Sequence, residues 1–373
     1  MHKWFALVLS AHVVGSCVEP ISVDAEFGLG LVVVDGSITD RKGPYTVRLS
    51  RGVYISQADT INLPLENAMV TLRSSTNESE PFLEVSPGVY ETGGAIEGKG
   101  GEAYWLDIKL ADGRMYESEP EQIIVGGELD DVRFQYEART RVEPFGEVRA
   151  DVFNVLVDGT AAAGSPSYTR WLLERVYQVK TEPSLHYTWN PPYTPYKNPF
   201  PCSGYILVEG PPGSGGVLEQ IGPCECCDCW VSQVEKAPQL SNDQLVQNGH
   251  FRDVKIGEVP ITRATFQLTY QVKVTQLNIS KTAFDYFTKI RLQREAADDL
   301  LQPTVARIDG NVHGINTNLP AVGMFWAASA KTVMCYLTKD DLPVPIPPVA
   351  QSTLPCYVEY EQATAKKPAD WND

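Results

Sequence analysis

The chain has 373 residues, with 31 basic and 47 acidic side chains and a formal net charge of −16 at pH 7. So acidic a balance argues against nucleic acid and against charge-driven adhesion to anionic lipid, and its plainest meaning is solubility. The length allows a large core and two or three domains. With Pro 27, Gly 29 and short runs rich in Val, Thr and Tyr, it describes an all-β protein with many turns.

The chain opens MHKWFALVLSAHVVGSC. Lys3 is a short positive region, and Trp4 to Val14 form an apolar run of about 11 residues. A bilayer span needs about 20, so the run reads as a secretory signal rather than a transmembrane helix. Val14-Gly15-Ser16-Cys17 then forms a lipobox. Small residues precede the cut, and the Cys17 thiol takes the diacylglyceryl group. The expected order is a signal peptide at 1–16 and a lipidated tether at 17–26, with the acylated terminus holding the protein on a membrane. The tether holds Val18 directly after Cys17, and acidic Glu19, Asp24 and Glu26.

Strands begin at LVVVDGSIT (31–39) and continue through YTVRLSRG (45–52), NAMVTLRSS (67–75), VYET (89–92) and AYWLDIKL (103–110). Turns fall at Pro87-Gly88 and Asp112-Gly113. Short strands at this spacing predict an immunoglobulin-like β-sandwich over 27–120. A larger β-rich domain with one short helix is expected over 121–373. Its strands are VRFQYEA (132–138), VRADVFNVLV (148–157) and TRWLLERVYQVK (169–180), the last also open to a helical reading. Residues 183–201, PSLHYTWNPPYTPYKNPFP, read as a long loop dense in proline and aromatics. GYILVEGPPGSGGVLEQIG (204–222) is a hairpin, and SNDQLVQN (241–248) suits one helical turn. ATFQLTYQVKVTQLNIS (264–280) alternates strongly as a strand. Ser280 then caps a helix with Ala283, Phe284, Phe287 and Ile290 on one face, and GMFWAASAKTVMCYL (323–337) is a final strand.

Few motifs carry chemistry. GGAIEGKGG (93–101) has Gly93, Gly98 and Lys99 at phosphate-loop spacing, but Gly100 stands where Ser or Thr would hold magnesium. A strand follows where the phosphate site needs a helix, so the segment reads as a turn. His186, His250 and His313 lie in no metalloprotease motif, and no serine sits in G-x-S-x-G. No catalytic residue, resident metal or cofactor is expected.

IGPCECCDCWV (221–231) gathers Cys224, Cys226, Cys227 and Cys229, and Cys202, Cys335 and Cys356 lie outside it. Overlapping C-x-x-C pairs suit zinc or copper(I). Beyond the inner membrane, however, thiols oxidise, and disulfides are the favoured reading over metal or redox catalysis. Neighbours Cys226 and Cys227 are poorly placed to bond each other and point apart, each toward a different remote partner. Seven is odd, so at least one of these thiols stays free or pairs between molecules; which one is open. In the 183–201 loop, Tyr187, Trp189, Tyr193, Tyr196 and Phe200 are candidates for a partner or ligand surface. Aromatics in a proline-stiffened segment lose little entropy on binding; packing of the loop onto its own domain is the alternative.

Taken together, Cys17-Val18-Glu19-Pro20, LVVVDGSITDRKGPYTVRLSR, Trp171 in YTRWLLERVYQV, Cys229-Trp230 before QLSNDQL, YQVKVTQLNISKTAFDYFTKIRLQ and the IDGNVHGI…AVGMFWAAS tail form a pattern. It resembles a family of Bacteroidota outer-membrane lipoproteins defined by a domain of unknown function and encoded beside TonB-dependent transporters. The resemblance covers nearly the whole mature chain and departs at the four-cysteine cluster. It implies a lipid-anchored, surface-exposed outer-membrane protein. Its implied partner is a TonB-dependent (SusC-like) transporter, which it assists without catalysis by capturing cargo or assembling the complex. The alternatives are a structural or adhesive envelope protein and a glycan hydrolase.

Overall fold

The structure, a computed structural model, describes residues 31–54, 60–144, 146–162, 166–190, 194–235, 237–297, 308–347 and 350–371. The expected signal peptide, the tether and Cys17 lie outside the described residues. Strands make up 51% of the chain and helices 9%, so the protein is all-β.

The first core follows from alternation. Strand Leu31–Thr39 turns Val32, Val34 and Ile38 inward, Met69–Ser74 turns Val70 and Leu72 inward, and Ala103–Lys109 contributes Tyr104, Leu106 and Ile108. Residues two apart share a face, so each strand buries one row and exposes the other. One layer pairs Leu31–Thr39 with Thr46–Tyr54, then Val89–Thr92 and Ser79–Ser86; the other pairs Met69–Ser74 with Ala103–Lys109 and Met115–Ser118. Ser79–Ser86 bonds to both layers and turns the corner between them.

Two segments from the far end of the chain complete this sandwich. Val312–Gly314 pairs with Met115–Ser118. Strand Ala321–Leu337 lies parallel to Leu31–Thr39, with Val32 opposite Ala321 and Thr39 opposite Ala328. Val312, Ala321, Phe325 and Ala327 join the first core. Buried Asn311 fixes the junction: its side chain donates to the Phe325 carbonyl at 2.7 Å and accepts from the Phe325 amide at 3.0 Å.

The same strand continues into the second half. From Ala328 to Leu337 it runs antiparallel to Tyr270–Ile279, which pairs with Thr169–Lys180, which pairs with Asp228–Val234. A three-stranded sheet of Leu129–Glu137, Val152–Thr160 and His250–Pro260 covers one face. The second core lies between, where Trp171 meets Phe251 edge-on at 5.3 Å and Tyr177 stacks on Tyr270 at 5.6 Å. Thr169–Lys180 is a strand, not a helix, because partners on both sides satisfy its backbone. The 148–157 run divides into Gly146–Arg149 and Val152–Thr160, since Asp151 between them accepts from the Tyr136 hydroxyl (2.8 Å) and the Arg139 amide (3.1 Å). The 264–280 strand begins only at Tyr270, because Thr262 and Thr265 close a turn through each other's hydroxyls and amides. Ser241 ends strand Gln239–Ser241 and residues 242–248 hold no helix, and a two-residue strand, Ala363–Thr364, follows Ala321–Leu337.

Helix Lys281–Ala297 covers the opposite face of the sheet. Ser280 Oγ accepts from the Ala283 amide at 3.0 Å, the expected cap. Ala283 and Phe287 are buried against Leu277, Ile279, Met324, Trp326 and Ala328, with Phe284 and Ile290 partly buried beside them. The Ser280 hydroxyl also donates to Glu121 at 2.6 Å. Glu121 is 4% exposed, and its pKa is pushed up to about 7 by burial, against the Ser280 hydrogen bond and helped by the Glu119 charge. A carboxyl with a raised folded pKa stabilises the fold below its unfolded value, and that stability is lost as pH rises toward 7. Glu121→Gln is therefore expected to match wild type near pH 4 and exceed it by about 3 kcal/mol at pH 8. Urea midpoints of both proteins across that range would show it, and a difference independent of pH would refute it.

Candidate functional site

The cysteine cluster builds a platform. Among the described residues, disulfides join Cys202 to Cys226, Cys224 to Cys227 and Cys229 to Cys356, and Cys335 is free. Cys226 does reach a remote partner, but Cys227 turns back to Cys224 rather than reaching one of its own. The cause is the fold. Cys202 and Cys356 are taken by Cys226 and Cys229, while Cys335 sits mid-strand opposite Val272, against the second core. Burial pushes its thiol pKa up, which keeps the thiol protonated and slow to oxidise. With six sulfurs in S–S bonds, the overlapping C-x-x-C pairs offer no thiolate to zinc or copper(I).

Backbone hydrogen bonds tighten the base. The Thr181 amide donates to the Cys227 carbonyl at 2.8 Å, the Cys356 amide to the Cys226 carbonyl at 3.0 Å and the Glu225 amide to the Cys202 carbonyl at 2.8 Å. Cys226, Cys229 and Cys356 are fully buried. Cys229 lies within strand Asp228–Val234, so the knot is anchored directly in the second core.

Two hairpins stand on this base. Residues 183–201, expected as a loop, instead hold a hairpin of Tyr187–Asn190 and Thr194–Lys197 between helical turns Pro183–Leu185 and Pro201–Ser203. Prolines begin both turns because their fixed φ suits the first helical position, and they obscure the strand pattern between. The second hairpin, Tyr205–Val208 with Val217–Gln220, is the expected one. Lys197 Nζ donates to the Gly216 carbonyl at 3.1 Å and ties the two together.

The aromatic candidates divide. Tyr187 and Trp189 share one face of their hairpin and are 49% and 63% exposed; Tyr196, 39% exposed, lies on the other face opposite Thr188. Phe200 packs on His186 at 4.6 Å and belongs to the base. Tyr193 lies outside the described residues. Ile206, Val217, Ile221, Tyr357 and Val358 are also exposed. The residue reading missed these five. The apolar YILV and VLEQ runs flanking a Gly/Pro turn were the available signal for Ile206 and Val217. Exposed apolar side chains thus occur on both hairpins and on the segment that follows Cys356.

The other candidates are placed as follows. The amides of Ala95 and Ile96 donate to the Glu80 carboxylate at 2.9 and 2.7 Å, and those of Gly98 and Lys99 to the hydroxyls of Tyr45 and Tyr104 at 2.8 and 2.9 Å. The protein's own side chains thus take the donors a phosphate would need. His313 pairs with Glu119 at 3.0 Å on the surface, and His250 begins strand His250–Pro260. Among the described residues no three of His, Cys, Asp and Glu gather to hold a metal ion, and no helix is long and apolar enough to cross a membrane.

A family model described as domain of unknown function (DUF4249) matches residues 18–333. That span takes in the first core, both hairpins and most of strand Ala321–Leu337, and ends before Cys356. No curated protein matches the chain.

Proposed function

We propose, for a chain that belongs to the DUF4249 family, a role as a lipid-anchored outer-membrane lipoprotein of Bacteroidota. It is held at the cell surface through Cys17 and serves a TonB-dependent transporter as a non-catalytic accessory, capturing cargo or holding the complex together. The observation that carries this reading is the disulfide-stapled platform with Tyr187 and Trp189 exposed on one face. Aromatic rings have few rotatable bonds to order on docking, so their burial converts efficiently into affinity. Three disulfides suit a compartment beyond the inner membrane, and the lipobox supplies the anchor.

The test is mild detergent extraction of native outer membranes through a tag after Asp373, followed by intact-complex mass spectrometry. A stoichiometric TonB-dependent barrel is the expected companion. A lone lipoprotein, under conditions that keep known envelope complexes whole, would sink the reading. The doubly substituted Tyr187→Ala/Trp189→Ala protein is expected to keep its stability within about 0.5 kcal/mol, since both rings are exposed. Its affinity for the barrel is expected to fall about 30-fold or more, the loss typical of an aromatic anchor.

A further inference from the structure

A cavity of about 420 Å³ lies on the helix-covered face of the sheet, away from the hairpin platform. Strand Leu31–Thr39 lends it Asp35 and Ser37, its neighbour Thr46–Tyr54 lends Arg48, and strand Thr169–Lys180 lends Arg170. Phe287 from the helix and Trp326 from strand Ala321–Leu337 form aromatic walls.

Arg170 is the unusual member. Its guanidinium stands 3.8 Å from the centre of the Phe287 ring and 5.4 Å from that of Trp326. Its Nε is buried and has no hydrogen-bond partner among the described residues. Burial lowers its pKa to about 10, only partly offset by the Asp35 charge. Asp35 itself faces Arg48 at 4.0 Å, and both are well exposed at the rim. By contrast, Arg139 bonds Glu137 and Glu258, and Arg133 bonds Asp158 and Asp253. A desolvated guanidinium without a carboxylate is costly, and an aromatic face returns only part of that cost. Because Arg170 lines the cavity, a ligand there can reach the open side of its guanidinium and supply the missing negative charge.

We infer that this cavity binds a small organic carboxylate, whose planar oxygens meet the Arg170 fork while Phe287 and Trp326 cover its carbon skeleton. The guanidinium suits a carboxylate in two parallel hydrogen bonds. The Asp35 carboxylate in the wall repels a dianion more than a monoanion, which disfavours phosphate. Ser37, Asp35 and Arg48 are placed for polar substituents at the open end. The carboxylate belongs either to an acidic sugar or to the terminus of a peptide.

Calorimetric titration of the full chain separates these sources, with glucuronate and N-acetyl-leucine as probes. Glucose, N-acetyl-leucine amide and inorganic phosphate are the controls. One carboxylate is expected to saturate, and its uncharged counterpart to bind at least tenfold more weakly. Arg170→Met is expected to abolish that binding while melting no lower than wild type, because it removes a partly buried charge that has no carboxylate within bonding distance among the described residues. Arg170→Lys keeps the charge without the fork, and is expected to weaken binding at least fivefold; it serves if the methionine variant does not fold. The inference is overturned by a Kd weaker than about 1 mM for both carboxylates, by phosphate binding more tightly than either, or by binding that neither variant changes.

Discussion

Replacing Gly323 with alanine is expected to cost about 4 kcal/mol, at the severe end for a single substitution. Gly323 lies opposite Val34 in the parallel pairing and has φ +94°, a conformation that L side chains rarely adopt. A Cβ there would stand 2.0 Å from the Val34 carbonyl oxygen. That atom is backbone within a strand, so the clash is relieved only by parting the strands. The positive φ alone costs about 1–2 kcal/mol, and the loss of pairing beneath the first core supplies the rest. Gly113→Ala is the control. Its φ is +87°, but nothing lies within 4 Å of the added atom, so it is expected to show the backbone cost alone. Denaturant midpoints of the two variants would decide the matter. Equal losses would mean that the close approach of the strands contributes nothing.

The three disulfides are expected to differ in worth according to the chain each one closes. Cys229–Cys356 spans 127 residues, Cys202–Cys226 spans 24 and Cys224–Cys227 spans 3. The loop-entropy relation gives about 5, 3.5 and 1.6 kcal/mol in that order. Paired alanine replacements, unfolded in guanidinium, are expected to rank the same way. The location sharpens the contrast. Cys229 and Cys356 both lie in the second core, so losing that bond frees the carboxyl-terminal segment from it. Losing Cys202–Cys226 loosens the hairpin platform while both cores stay intact, which limited proteolysis between 183 and 222 would register. A Cys224/Cys227 variant that proved the least stable of the three would overturn the ranking.

Much of this architecture was legible in the residues. Alternation located Leu31–Thr39 and Thr169–Lys180 at their ends, and apolar spacing after Ser280 gave the buried helix face. What escaped was non-local. Nothing near Leu31 signals a parallel partner 289 residues away at Ala321–Leu337. The sandwich expected from 27–120 therefore lacked the strands that close its core. Prolines broke the period of the 187–197 hairpin, because Pro195 opposite Trp189 has no amide to offer. Phe266 and Leu268 kept the alternation leading into Tyr270, yet the threonine turn before them decided the backbone. Cysteine connectivity does not follow from spacing. Arg170, flanked by Thr169 and Trp171, reads as an ordinary outward residue of a strand. Only the helix laid over it reveals its isolation.

The parallel pairing of Leu31–Thr39 with Ala321–Leu337 also governs the order in which the molecule can be completed. A chain made or translocated from its amino terminus presents residues 31–123 long before the strand that closes their core. Until residue 328 arrives, one edge of Leu31–Thr39 remains unpaired beside exposed Val32, Val34 and Ile38 positions, an invitation to pair with another chain. Contacts of such sequence separation form slowly. The earliest segment to emerge is thus among the last to be buried, and a nascent chain halted anywhere before residue 321 has no finished first core.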